Sequence, residues 1–178
     1  MPCALTSGYT IDCRESIGGI QAIWLIENSA LYDTSGNSRI SQSSGTITGM
    51  TKASNKRFYK FEVPRATASA SSNLTGSQEN GTIFFTHQVM FPINSRTASI
   101  RNIITTLAKN RLTFVTLDMD GVYRCYGASF GLFLDTTESG SGTAPGDRQG
   151  SMLTFTSQET EDFLVVSSSV AANLEVAG

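Results

Sequence analysis

The sequence predicts a mainly β fold, a sandwich or barrel of short strands with one α-helix packed on its flank. Three observations carry that expectation. The 178 residues include 23 Ser, 21 Thr and 16 Gly, and hydroxyl side chains suit strands and turns better than helix interiors. Apolar and polar residues alternate with period two in several short runs, the pattern of half-buried strands. One stretch alone changes to helical spacing: Ile100, Ile103, Ile104 and Leu107 fall at i, i+3, i+4 and i+7, a single apolar stripe.

Taken in order, residues 1–20 carry turn signals and the pair Gly18-Gly19, and read as an N-terminal arm. The run 21–27 (QAIWLIE) is almost continuously apolar, which fits a strand buried on both faces. Residues 28–46 are rich in Ser, Asn and Gly and read as an exposed loop or the tip of a long hairpin. A strand is expected near 47–50 and a clearer one at 56–63, where Tyr59, Phe61 and Val63 alternate with Lys60 and Glu62 before Pro64 ends the run. The small polar run 66–80 reads as a weakly specified strand or a loop. In 81–91, Ile83, Phe85, His87, Val89 and Phe91 share one face.

The helix is expected over 96–109, with Ser95 as its N-cap, Lys109 near the negative end of its dipole and Asn110 as a left-handed terminator. Runs 111–118 and 122–126, joined through Asp120-Gly121, predict a hairpin. Strands near 130–134, 151–156 and 163–166 follow, separated by a Gly-rich loop at 135–150 that reads as flexible. From 167 to 178 the chain is small and polar and is expected to lie over the surface or over a neighbour. The length suits one domain, 1–178.

Composition weighs against several function classes. The net charge is −2 and charged residues are 16% of the chain, so no strong field draws it to nucleic acid. No apolar run reaches the length of a membrane span, and residues 1–9 lack the basic and apolar regions of a secretory leader, so synthesis in a cytoplasm is expected. Cys3, Cys13 and Cys125 are odd in number and widely spaced, and read as reduced thiols rather than a disulfide framework. One histidine cannot build a Cys/His zinc site.

Candidate chemistry is thin for the same reason. His87 sits mid-strand among apolar residues and reads as a satisfied or interface histidine. Asp118 and Asp120 flank a turn, where Asp has a local role, and Glu159, Glu161 and Asp162 read as a solvated loop. The stretch 139–146 (SGSGTAPG) lacks the Gly-Lys-Ser/Thr of a phosphate-binding loop. No catalytic, cofactor-binding or metal-ligating set is expected, and no cofactor.

Self-assembly is the better expectation. Segments 28–46, 66–80 and 135–150 are long for so small a domain. Phe58, Phe84 and Tyr123 fall on the faces opposite the expected core, which calls for a second covering layer or a partner.

The stretch 95–155 resembles the major tail tube proteins of long-tailed bacteriophages. It has the amphipathic helix, then Asn110-Arg-Leu-Thr-Phe-Val115, Asp120-Gly121 with the strand 122–126, Gly131-Leu132, and Gly142, Gly146-Asp147 and Gly150 before Leu153-Thr-Phe-Thr156. The opening Cys3-Ala-Leu-Thr with Gly18-Gly19-Ile20 is similar to structural proteins of phages with Bacteroidetes hosts. The resemblance covers the C-terminal half well and the first half loosely. It implies hexameric rings whose strands join into an inner barrel, stacked into a hollow virion tube. It also implies partners: other copies of the chain, further tail proteins (tape measure, terminator, baseplate hub), and genomic DNA in transit, with no membrane. Strands in 56–91 would face the lumen and 28–46 would be a stacking hairpin. The ring and stacking interface so implied takes Tyr32, Arg39, Arg57 and Tyr59 from the first half. It takes Phe84 and His87 from the long strand, and Asp147 and Arg148 from the Gly-rich loop. The nearest alternative is a capsid decoration or head–tail connector protein. A carbohydrate-binding sandwich would need exposed aromatic residues on a concave face, and Trp24 lies in the expected core.

Overall fold

A computed structural model describes residues 17–77, 79–144 and 146–178. The arm through residue 16, with Cys3 and Cys13, lies outside the described residues. The fold is mainly β, 48% strand and 12% helical, in two sheets. The strands are β1 (Ile20–Glu27), β2 (Ile40–Ser43), β3 (Thr46–Met50), β4 (Tyr59–Glu62), β5 (Ser69–Ser77), β6 (Thr82–Ile93), β7 (Leu112–Asp118), β8 (Tyr123–Tyr126), β9 (Phe133–Gly140), β10 (Gly150–Glu159) and β11 (Leu164–Val166). Helix α1 spans Ala98–Lys109 and a one-turn helix α2 spans Ser168–Ala171. A seven-stranded sheet runs β2-β3-β11-β8-β7-β1-β4, and a four-stranded sheet runs β5-β6-β10-β9.

The seven-stranded sheet is the middle layer. On β1, Ile23 and Leu25 point into the core between the sheets, while Ala22, Trp24 and Ile26 point into a second core. This is the two-sided burial that its continuous apolar run predicts. The first core stacks Phe91 on Phe155 (5.8 Å between centroids), with Phe114 4.9 Å from Phe155. The second core is covered by the chain itself. Phe58 and Leu174 are 1% and 2% exposed there, and the Phe58 N–H donates to the Leu174 carbonyl (3.1 Å). Tyr123 packs beside Trp24 (5.7 Å). Two of the apolar residues that called for a second layer or a partner, Phe58 and Tyr123, are therefore covered from within.

The 167–178 segment is consequently docked rather than merely polar. The Lys52 ammonium donates to the carbonyls of Asn173, Leu174 and Val176, and the Trp24 Nε1–H donates to Glu175 (2.8 Å). Leu174, one apolar residue in a small polar stretch, anchors it.

Several boundaries differ from the sequence expectation. Helix α1 is capped by Thr97, whose Oγ1 accepts from the Ile100 N–H, not by Ser95. Asn110 is extended (φ −114°, ψ 152°), because the chain passes straight into β7 and has no room for a left-handed turn. On the apolar stripe Leu107 is buried and Ile100 and Ile104 are half-buried, but Ile103 is 39% exposed. The 56–63 run shortens to β4, where Phe61 packs on Phe91 while Tyr59 is 57% exposed at the sheet edge. The weak run 66–80 forms β5, paired along its whole length with β6. Residues through Gly140 of the expected 135–150 loop belong to β9, paired with β10. The backbone of these runs is satisfied by strand pairing, which their low apolar content had hidden.

Candidate assembly surface

The four-stranded sheet has one face in the core and one that no described residues cover. Register places Val89, Phe91, Leu153 and Phe155 inward. It places Ser71, Asn73 and Thr75 of β5, Thr86 and Gln88 of β6, and Thr154, Thr156 and Gln158 of β10 outward. Phe84, Met90 and Met152 lie half-buried among them. The one charged residue that register pairs onto this face, among the described residues, is Glu138 of β9. The face is thus rich in hydroxyl and amide groups and nearly uncharged.

Its two edges are β5 and β9, neither of which has a strand partner on its outer side among the described residues. They are long, at nine and eight residues, and contain no lysine, arginine or proline. Such edges are templates for pairing with another chain unless something blunts them.

Beside the β9 edge, the loop 127–131 is held by side chains from five separate places. His87 Nδ1 accepts from the Gly127 N–H (3.2 Å). Asn28 and Thr113 donate to the Gly127 carbonyl (3.3 and 2.9 Å). The Tyr32 hydroxyl donates to the carbonyls of Ala128 and Ser129 (3.2 and 2.7 Å). The Glu159 carboxylate, 2% exposed, accepts from the N–H groups of Ser129 and Phe130 (both 3.1 Å to Oε2) and from the Ser157 hydroxyl (2.8 Å). A Cβ on Gly131 would meet Asn28 at 2.9 Å, so the loop closes tightly only with glycine there. The clamped loop displays Phe130, 50% exposed, next to Phe133, also 50% exposed. Together with Arg111 and Gln158 they line a shallow hollow.

Glu159 is the residue that sequence reading misplaced. It belongs to the buried row Ser151, Leu153, Phe155, Ser157 of β10, and extending that alternation by one step would have found it. His87 lies inside the subunit, 2% exposed and edge-on to Tyr126 (5.5 Å), and so presents no surface to a neighbour. Burial holds its imidazole below the ordinary histidine range, against the opposing pull of the Glu159 and Asp162 carboxylates and the Glu161 carbonyl.

The other nominated residues scatter. Tyr32 works on the 127–131 loop, and Arg39 is half-buried beside it with its N–H on the Leu31 carbonyl (2.8 Å). Arg57 stacks over Tyr59 (5.4 Å) on the far edge of the seven-stranded sheet. Phe84 is on the uncovered face. Asp147 accepts from the N–H groups of Thr143 and Ala144 (both 2.8 Å), which holds its carboxyl below the usual range, and Arg148 beside it is exposed. The structure does not bring these eight residues together in one subunit.

Cys125 is buried, and burial pushes its thiol up to about 12. Asp118 and Asp120 both pair with Arg124, the second at 2.8 Å, locking the β7–β8 hairpin. Among the described residues no group of His, Cys, Asp and Glu is arranged to hold a metal ion, and no helix is long and apolar enough to cross a membrane. No protein-family model, no curated protein and no solved structure matches the chain.

Proposed function

We propose that the chain is a structural subunit whose four-stranded sheets join edge to edge in a closed ring, and that stacked rings form the tail tube of a bacteriophage. The observation that carries this is the stagger of the four-stranded sheet. Asn73, midway along β5, is opposite Thr86. The midpoint of β9, between Thr136 and Thr137, is level through Thr154 and Leu153 with a point between Met90 and Phe91, four to five positions further along β6. Four and a half residues are about 15 Å along the strands and three strand spacings about 14 Å across them, a slope of about 46°. Discounting one frayed terminal residue gives about 43°, and strands in closed barrels typically tilt by 35–45°. A sheet sheared this way continues into a barrel when copies are added at a constant step.

Strand direction agrees. Four antiparallel strands leave β5 and β9 running in opposite senses. The β5 of one copy therefore meets the β9 of the next as an antiparallel pair, the geometry of a head-to-tail ring. Continuing the stagger from the centre of β9 by its mean of about 1.5 residues per strand sets Asn73 of one copy opposite Glu138 of its neighbour. Both belong to the uncovered face, so the pleat carries through the joint without a slip. The barrel interior would then be the hydroxyl and amide face. It holds no cations to grip phosphates, which suits a bore through which DNA slides. The sixfold count and the tail partners come from the family resemblance, and this reading assigns the chain no catalytic step.

The test is electron microscopy of the purified chain over a concentration range, with the double variant Asn73→Cys with Glu138→Cys oxidised in parallel. Rings or constant-bore rods, with a disulfide ladder ending at the ring size, are the expected result. Persistent monomers, or small oligomers that bind only to capsids, would replace the tube with an accessory role.

A further inference from the structure

The hollow beside the 127–131 loop joins aromatic walls to free polar groups. Register puts Thr86, Thr156 and Gln158 on the outward face of the four-stranded sheet, and Phe133, opposite Thr156, lies with them. Phe130, Gly131 and Arg111 wall the hollow off the end of the strands. It encloses about 530 Å³, within the range of about 300–1,000 Å³ for small-molecule sites. Phe130 and Phe133 are each 50% exposed there. The side-chain hydrogen bonds at this corner are made by Asn28, Tyr32, Thr113 and Glu159, which hold the loop. The side chains of Thr86, Thr156, Gln158 and Arg111 take no part in them and have no protein hydrogen-bond partner among the described residues.

We propose that this hollow binds a sugar residue that carries a carboxylate. Three features select that chemistry. A sugar ring packs its C–H faces on aromatic side chains, and two half-exposed phenylalanines offer them. The backbone that displays Phe130 is already fixed by side-chain hydrogen bonds, so little ordering entropy is lost when it is covered. Sugar hydroxyls need partners that both donate and accept, and the two threonine hydroxyls and the Gln158 carboxamide do both. Arg111 is exposed and has no ion pair among the described residues. No carboxylate among the described residues lines the hollow, so the guanidinium is free to take an acid group with two parallel N–H donors. Trp24 lies in the second core, but Phe130 and Phe133 provide the exposed aromatic residues that a carbohydrate-binding sandwich requires. The site belongs to the single subunit and does not rest on ring closure.

The experiment is saturation-transfer NMR on the full chain, with methyl β-glucuronide, methyl β-glucoside and acetate as probes. The signal is read on the small molecule, so it serves for monomer and assembly alike. Methyl β-glucuronide should bind with a Kd on the order of 1 mM, methyl β-glucoside more weakly, and acetate not at all. Phe133→Ala should weaken the glucuronide about fivefold or more. Arg111→Gln should reduce the glucuronide to the level of the glucoside while leaving the glucoside unchanged. Both side chains are exposed, so the variants should fold, and circular dichroism checks that they do. No saturable signal from either sugar, or an unchanged glucuronide affinity in Phe133→Ala, would sink the proposal. Acetate binding as tightly as the glucuronide would reveal a bare cation on the surface and overturn the sugar site.

Discussion

Replacing Glu159 with alanine is the sharpest test of how the 127–131 loop is held. The carboxylate accepts hydrogen bonds from Ser129 N–H, Phe130 N–H and the Ser157 hydroxyl. Removing it leaves three donors without a partner, and each buried orphan costs about 1–3 kcal/mol. Ser129 and Phe130 reach solvent in part, so water recovers some of that, and the desolvation of a buried anion is relieved. A net loss of about 2–4 kcal/mol follows, large against a typical total of about 5–15 kcal/mol. With a urea m-value of about 2 kcal/mol/M, the midpoint should fall by about 1–2 M. Glu159→Gln keeps one acceptor and should lose about half as much. Amide exchange at Ser129 and Phe130 should quicken in both variants before the rest of the sheet opens. A midpoint shift under about 0.3 M for the alanine variant, with unchanged exchange at those two amides, would refute the clamp.

Three further outcomes follow from the same geometry. The neutral His87 imidazole accepts from Gly127 N–H, and burial depresses its folded pKa below the unfolded value near 6.5. Its contribution to stability is therefore complete above about pH 6.5 and lost as pH falls through the folded value. His87→Gln should flatten that slope in urea titrations below about pH 6.5, and an unchanged slope would show that other groups carry it. Leu174→Ala empties a fully buried site under the C-terminal segment and should cost about 2–5 kcal/mol with a red shift of Trp24 fluorescence. A loss under about 0.5 kcal/mol would mean that this segment is not anchored as described. Cys125, buried and with its thiol pushed up to about 12, should resist alkylation at about pH 8 until the protein unfolds, as read by peptide mass spectrometry.

The parts of the fold legible in the sequence are those where one period dominates. The run Ile20–Glu27 announces burial on both faces, Asp120-Gly121 announces its hairpin, and the Ile100–Leu107 stripe announces the helix. What stayed hidden depends on pairing. Strand β5 (SASSNLTGS) has no apolar period of its own and is extended because β6 offers it a complete ladder. Likewise β9 (FLDTTESG) reads as loop until β10 pairs with it. The 127–131 clamp was beyond reach because its members, Asn28, Tyr32, His87, Thr113 and Glu159, are distant in sequence and each is ordinary when read alone. The nominated interface residues scatter over the subunit, and the strand edges proposed in their place are a property of the backbone that no side-chain motif marks.

That distinction also bears on which sheet the proposed ring would extend. Both sheets end in strands of opposite sense, so direction alone does not choose. The edges of the seven-stranded sheet are blunted. Strand β2 has four residues and a register shift between Ser41 and Gln42, and β4 has four residues with Lys60 and Glu62 on it. Short length, a bulge and charge are the means by which edges are kept from pairing. Strands β5 and β9 are twice as long and free of lysine and proline; β9 carries Asp135, Glu138 and a register shift of its own against β10, so length is what sets these two edges apart from β2 and β4. A lone monomer with two such edges would risk open-ended aggregation, and closure into a ring is the arrangement that leaves neither edge free. Substituting lysine at Ser71 and Asn73 would blunt β5 in the way that β4 is already blunted. It should hold the chain as a folded monomer at concentrations where the wild type assembles, with an unchanged urea midpoint. Assembly that persists in that variant would show that the contacts run through another surface.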